Sequence, residues 1–531
     1  MRLSWPLSNA AFLLLLVLFS VSPTQSQQNA AVPTFQSTTT LVFLDVTVVD
    51  KKGHIVTSGL SKDDFSITED KRPERIFSFE APETHAPKKH APHDNPGDTP
   101  DGSAPATIFV LDQLNSSLED FAFLSDQMQK YLEAQPSHLA APAEFMLLGN
   151  RTLELLQGYT RSRDDLLFAL KHVPTAIPYK NIAAFKDERF FQSIQALQQI
   201  ALQNNGVTGR KNIIWIGRGG PGTALALRNI YSVDKLERFA HQTTNMLVDA
   251  RITLFLIFPG LKVQEINSAP GSKGSDTTIG LDPFGGDINF GGFVNETGGK
   301  LFYNENDVDA LIGQSQRMGG QYYTLTYQPN EPGSPTDPHV REDGEFRRIK
   351  VTLRNPDLQV ITKAGYYAPD ETHPVDAEKQ TILNVSQAVQ SSIPYTGLGM
   401  KVDSIVRHPE SRTANISLIV QSKNIRWEST ENGKSTANLI FLAVSFSSTH
   451  QILASKLQGI AFSATTQDQA ALAHLNLRTS ITLRLPWNTR SIRIAAQTED
   501  GGSIGATDLN HQAIDSRSVT ATPAAKSSPE K

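Results

Sequence analysis

From Leu41 the chain alternates. Val42, Leu44, Val46 and Val48 are separated by Phe43, Asp45, Thr47 and Val49, the two-residue period of a half-buried β-strand. Asp50-Lys51-Lys52-Gly53 is a turn signal, His54–Val56 restarts a strand, and Ser66–Glu69 and Arg75–Phe79 follow. Residues 41–80 are therefore expected to form a small N-terminal β unit. The pattern then dissolves into prolines set among His, Asp and Gly. Such a composition cannot bury a core, so 81–105 reads as a disordered linker. His85, His90 and His93 sit in this tract and are expected to be solvated rather than to bind metal.

At Ala106 the period begins to switch between short apolar runs and helical stripes. Thr107–Leu111 is a β-rich run that stops at Asp112. In Glu119–Leu132, Phe121, Leu124, Met128, Tyr131 and Leu132 fall on one helical face. Glu144–Leu148 and Leu153–Leu156 read as strands joined by Gly149-Asn150-Arg151, and Arg163–His172 reads as a helix. Glu188–Asn204 carries the apolar stripe Phe190, Phe191, Ile194, Leu197 and Ala201. Asn212–Ile216 and Ile252–Phe258 are buried strands on either side of the helix Val233–Ala250. Asn295–Gly299 leads into a strand at Lys300–Phe302, and Asp307–Met318 is helical. Repeated strand–helix alternation over 106–320 predicts a doubly wound, mostly parallel α/β sheet.

Beyond this, Gln321–Tyr327, Phe346–Leu353 and Leu358–Tyr367 are strand patterns. The strands of 321–370 are expected to pair with 41–80, so that the α/β domain is inserted into a β-sandwich-like unit. A C-terminal all-β domain spans 395–510, with strands at Ala414–Val420, Leu439–Ser445, Ser480–Leu485 and Ser491–Ala496. The Ser-, Pro- and Lys-rich end, 511–531, reads as a disordered tail.

Composition narrows the picture. A chain of 531 residues is too long for one core, so about two to four domains are expected. A net charge of −5 without a basic stripe gives no reason to expect nucleic acid as a partner. Arg2, the apolar run Ala10–Val21 and Thr24-Gln25-Ser26 have the form of a signal peptide ending near residue 26, which places the protein in the periplasm or outside the cell. No later segment reads as a transmembrane span. The chain has no cysteine, so packed cores and not disulfides must hold it, and an exported chain without cysteine looks bacterial.

Four segments resemble the exported von Willebrand factor type A (VWFA, or VWA)-related domain proteins of acidobacterial type. They are Val46–Glu80, Ile108–Ser117 (IFVLDQLNSS) with Arg210–Gly222 (RKNIIWIGRGGPG), Glu296–Ile312, and Tyr322–Pro329 with Phe346–Ala368. The C-terminal β region, ending in SIRIAAQTEDGGSIG, resembles the domain that often follows. The resemblance implies a VWA-like, Rossmann-type sheet and a metal-ion-dependent adhesion site at its carboxyl edge. In that site a D-x-S-x-S loop, a Thr and a further Asp surround Mg²⁺ or Mn²⁺, hard cations that take oxygen ligands. Asp112 matches the first Asp and Ser116 the last Ser, whereas Leu114 replaces the middle Ser. Arg218 stands at the third-loop Asp position, and Thr175 or Thr160 would supply the Thr. Exchanging a carboxylate for a guanidinium shifts the local charge by about two units against a divalent ion. The site is therefore expected to be degraded. Asp112 and Ser116 are expected to cap the following helix, with or without an ion pair from Arg218.

Gly217-Arg218-Gly219-Gly220-Pro221-Gly222 satisfies G-x-G-x-x-G, but on a late strand and without the acidic residue a dinucleotide site needs, so a strand-exit turn is expected. His138, His172 and His241 form no catalytic frame. The loop 259–292 is long and reads either as flexible decoration or as a partner-contacting surface at the sheet's rim, the second supported by Phe284, Phe290 and Phe293, which are expected to be exposed. The expected function is non-enzymatic protein–protein interaction, adhesion or assembly at the cell envelope. The alternative is an exported hydrolase or dinucleotide-binding enzyme.

Overall fold

The computed structural model describes residues 41–85, 104–174, 185–221, 233–258, 289–303, 305–329, 344–368, 376–430, 433–465, 468–516 and 518–520. The expected signal peptide 1–26, Thr175, Gly222, His90, His93, Phe284, most of the linker and loop, and the end 521–531 lie outside them.

Strands from both sides of the α/β region share two small sheets. β1 (Val42–Asp50) lies between β11 (Tyr323–Tyr327) and β13 (Leu358–Ile361), antiparallel to both, and β4 (Ile76–Glu80) flanks β11. In the second sheet β2 (Phe65–Glu69) lies between β3 (Arg72–Glu74) and β12 (Phe346–Leu353), with β14 (Gly365–Tyr367) beyond. The inward positions of β1, namely Val42, Leu44, Val46 and Val48, meet Phe65, Ile67, Tyr323, Leu325 and Ile349 in one core. His54–Val56 forms only an isolated bridge at Ile55, not a strand.

The α/β region carries one six-stranded sheet in the order β10-β9-β8-β5-β6-β7. Its strands are β5 (Ala106–Asp112), β6 (His138–Leu148), β7 (Leu153–Ser162), β8 (Lys211–Ile216), β9 (Ile252–Phe258) and β10 (Leu301–Tyr303). All neighbours are parallel except β6 and β7, so the sheet is mixed. Every residue of β5 and β8 is buried, because helices cover both faces. Phe109 and Leu111 pack with Leu124 of α1 (Leu118–Glu133), Leu166 of α2 (Arg163–Lys171) and Val308 of α6 (Val308–Gly320). Ile108 and Val110 face Ile194 of α3 (Lys186–Gln203), Ala240 of α4 (Val233–Asp249) and Phe293 of α5 (Phe290–Glu296). Full burial of each such side chain contributes about 1.5–3 kcal/mol.

Phe290 and Phe293 were expected on an exposed loop. They are instead 4% and 0% exposed, because α5 turns them onto the sheet.

The same core continues across α7 (Ala377–Gln390) into a C-terminal pair of sheets. One is ordered β20-β16-β15-β23, from β15 (Met400–His408), β16 (Thr413–Gln421), β20 (Asn476–Arg484) and β23 (Ser518–Thr520). The other is β17-β18-β21-β22, from β17 (Glu428–Ser429), β18 (Ser435–Phe446), β21 (Ser491–Thr498) and β22 (Ile504–Asn510), with β19 (Ile452–Ala464) also on β18. Two short helices, α8 (Gln469–Leu472) and α9 (His511–Ser516), complete it. The expected tail therefore begins with structure: α9 buries Ile514, and β23 runs parallel to β15. Among the described residues no helix is long and apolar enough to cross a membrane.

Candidate functional site

Asp112 ends β5 at the carboxyl edge of the six-stranded sheet. There the N–H groups of Gln113 and Leu114 both turn to the Leu148 carbonyl at the end of β6, at 3.0 and 2.9 Å. The Asp112 side chain is fully buried, and among the described residues its two oxygens accept hydrogen bonds only from nitrogen. Oδ1 takes Asn115 N at 3.0 Å and Asn115 Nδ2 at 3.1 Å. Oδ2 takes Asn115 Nδ2, Trp215 Nε1 and Gly219 N, each at 3.0 Å. Burial pushes the Asp112 carboxyl above its ordinary value, against the pull of the Trp215, Asn115 and Gly219 donors.

Ser116, also fully buried, donates its hydroxyl to the Asp112 carbonyl at 2.5 Å. The helix cap expected of Asp112 and Ser116 belongs to their neighbour. Ser117 is the N-cap of α1, and its side chain accepts from Asp120 N at 3.0 Å. The structure thus brings Asp112 and Ser116 together, while Leu114 is wholly buried and Thr175 lies outside the described residues. The other Thr candidate, Thr160, lies on β7, where its hydroxyl bonds Asp165 Oδ2 at 3.1 Å.

Arg218 does not pair with Asp112. Its Nη2 lies 3.3 Å from Asp120 Oδ2, on the first turn of α1. A second guanidinium, Arg189 of α3, reaches Asn115 Oδ1 at 3.5 Å. Burial lowers its pKa, the attraction of Asp112 works against that, and the charge of Arg218 adds to it. A divalent cation here would meet nitrogen donors on every carboxylate face and two guanidiniums close by, where it needs oxygen ligands and negative charge. The residues around Asp112 do not fit Mg²⁺ or Mn²⁺.

The glycines of the strand exit have a packing reason. Gly217 has φ +143°, and a Cβ there would come within 2.5 Å of Asp112 Cβ. Gly219 has φ +69°, and a Cβ there would come within 2.7 Å of the Phe290 ring. The Trp215 indole packs at a tilt against the same Phe290, at 4.6 Å between centroids. The G-x-G spacing, which was weighed as a dinucleotide loop, here lets the β8 exit close over Asp112.

Outside this closed cluster the same edge carries a row of three side chains, of which Arg218 and Phe258 are half-buried and Tyr303 is exposed. The Arg218 guanidinium lies 5.4 Å from the Phe258 ring centroid, and Phe258 lies 5.1 Å from Tyr303. Tyr303 is 56% exposed, with Leu301 also exposed on β10.

At the opposite, amino edge a polar layer joins the sheets. Arg251 hydrogen-bonds Asp45 through Nη2 at 2.5 Å, and Thr324 Oγ1 donates to Asp45 at 3.0 Å. Burial pushes the Asp45 carboxyl up, but Arg251 and Arg210 outweigh it and hold the value below the ordinary one. His85, expected in a solvated linker, is buried. It stacks on Tyr322 at 4.3 Å and meets Thr324 Oγ1 at 3.2 Å.

Sequence reasoning missed Trp215, Asn115 and Arg189 as members of the cluster. A signal existed for Trp215, because a tryptophan in a strand that reads as buried must find an acceptor for its N–H. No pattern marked Arg189, which reaches the cluster from a helix far along the chain.

No family model matches the chain, and no curated protein matches it. Solved structures with some likeness include proximal thread matrix protein 1 of the mussel byssus, at 10% identity over 30% of this chain with a TM-score of 0.20. The VWA domain of SpRpn10 is 14% identical over 30% of this chain, with a TM-score of 0.17 and 76% of that domain covered. Human COPII-coat protein Sec24c is 10% identical over 78% of this chain, with a TM-score of 0.21. This chain spans 38% of the mussel protein and 44% of Sec24c, less than two thirds of either.

Proposed function

We propose that this chain is an exported, non-enzymatic recognition protein that binds a protein partner at the carboxyl edge of its six-stranded sheet, without a metal ion. The observation that carries the reading is the row of Arg218, Phe258 and Tyr303, the first two half-buried and Tyr303 exposed, beside a carboxylate that is already committed to internal donors. Arginine and aromatic side chains are enriched in protein interfaces and dominate their binding energy, because they bury much area with few rotatable bonds. The closed Asp112 cluster then acts as the rigid base on which this surface stands. Adhesion or assembly at the cell envelope fits an exported chain of this kind.

The test is affinity capture from envelope fractions of cells that make the protein, comparing the wild type with Tyr303→Ala and Arg218→Glu. A partner held by the wild type and released by both variants supports the reading. A partner held equally by all three, or turnover of ester and peptide substrates by the purified protein, would refute it.

A further inference from the structure

A second site stands in the C-terminal sheets, far along the chain from Asp112. A cavity of about 490 Å³ opens between the turn joining β15 to β16, the end of β20 and α9. It is lined among others by Arg407, Arg412, Trp487, His511 and Asp515, over a floor of buried Ile514. The volume lies in the range of small-ligand sites, roughly 300–1,000 Å³.

Three features of its wall point to one ligand chemistry. Trp487 is 90% exposed, the most exposed of the large apolar side chains among the described residues, although an indole is costly to leave in water. Arg412 is held at φ +52°, a conformation that costs a non-glycine residue free energy, and its carbonyl is fixed by Leu485 N at 2.8 Å. No carboxylate pairs with Arg412 among the described residues. Arg407 gives Nη2 to Asp515 at 2.7 Å, and Asp515 also meets His511 Nδ1 at 2.6 Å, yet Arg407 Nε is buried without a partner among the described residues. The rim therefore carries an exposed aromatic face and the exposed Arg412 guanidinium, beside a half-buried cation anchored by Asp515.

We infer that this cavity binds an acidic saccharide, with a pyranose ring on the Trp487 face and its carboxylate toward Arg412. The C–H face of a pyranose is weakly positive and complements the negative face of the indole. The uronate carboxylate suits a guanidinium, which offers paired donors in one plane. A concave site of this size suits one or two sugar rings better than the flat surface of a bilayer.

The experiment titrates trigalacturonate into the full chain by calorimetry, with indole fluorescence followed in parallel. Saturable binding with a fluorescence change is expected. Trp487→Ala and Arg412→Gly should each weaken it about tenfold or more, and neutral trigalactose should bind correspondingly weakly. Glycine adopts φ +52° freely, so Arg412→Gly should keep or raise the thermal midpoint, which separates loss of charge from loss of fold. The inference is overturned by absence of binding, or by binding that both substitutions leave unchanged. It is also overturned if phosphatidylglycerol–phosphatidylcholine vesicles bind through Trp487 while trigalacturonate does not.

Discussion

The Trp215 indole donates its N–H to Asp112 Oδ2 at 3.0 Å, with both side chains removed from solvent. This bond crosses from the penultimate residue of β8 to the end of β5 and ties adjacent parallel strands where their backbone pairing stops. Gly219 N donates to the same oxygen from beyond the end of β8. A carboxylate at the carboxyl edge of an open α/β sheet is usually available to a ligand. Here it organises its own loops.

Replacing Asp112 tests that role. Asp112→Ala leaves the Trp215 and Gly219 donors buried without an acceptor, and each unmet donor costs about 1–3 kcal/mol. A loss on the order of 3 kcal/mol is expected in urea unfolding followed by circular dichroism. Wild-type midpoints should be the same with Mg²⁺, Mn²⁺ or chelator. A metal at about 100 times its dissociation constant would add about 2.7 kcal/mol, so a rise that Asp112→Ala abolishes would show the fit argument to be wrong.

Gly217 separates packing from backbone freedom. Gly53 and Gly217 both have positive φ, at +81° and +143°, so alanine is strained at either. Only at Gly217 would the new Cβ meet a neighbour, Asp112 Cβ at 2.5 Å, whereas nothing lies within 4 Å at Gly53. Gly217→Ala should therefore cost roughly 2 kcal/mol more than Gly53→Ala. Equal losses in thermal or urea melts would mean that the strand exit relaxes at little cost.

Much of the fold was legible because each element has its own period. The alternation at Val42, Leu44, Val46 and Val48 marked β1, and the stripe of Phe121, Leu124 and Met128 marked α1. The helix α7 was missed because Thr381 and Asn384 interrupt its apolar face, and that face packs on a sheet formed much later in the chain. Phe290 and Phe293 were misplaced because Gly291 and Gly292 between them read as loop. In the structure Asn289 caps that stretch, its side chain accepting from Gly292 N, and the helix turns both rings inward. At the candidate site the positions of Asp112, Ser116 and Arg218 were visible, but their partners were not. Arg218 finds Asp120 and Asp112 finds Trp215, and contacts across about 100 residues leave no local period to read.

The amino-edge layer makes a prediction about coupling. Asp45 on β1 and Arg251 before β9 form a partly buried pair, so removing one partner leaves the other's charge poorly compensated. Asp45→Ala should cost on the order of 3 kcal/mol, and Arg251→Ala a similar amount. The double variant should cost clearly less than the sum, which a double-mutant cycle measures. Additive losses would mean that the two residues stabilise the fold independently.

Glu144 gives the pH dependence. It lies on β6, 1% exposed, with Gln203 Nε2 at 3.3 Å from Oε2, and Oε1 has no partner among the described residues. Burial pushes its carboxyl from an ordinary 4.5 up to about 8, against the weaker pull of Tyr159 and Gln203. Between those two values the folded protein holds a proton that the unfolded chain has lost. The Glu144 contribution is therefore fully present below about pH 4.5 and is lost as pH rises to about 8, at roughly 1.4 kcal/mol per unit. Integrated over the window, the loss is on the order of 5 kcal/mol. Glu144→Gln keeps the shape, removes the titration, and should flatten this part of the stability–pH curve. The variant and the wild type should unfold at similar urea concentrations near pH 4.5, and the variant should be clearly the more stable at pH 9. Parallel curves from pH 4 to 9 would mean that Glu144 ionises in the fold without cost, through water reaching β6 from the side of α3.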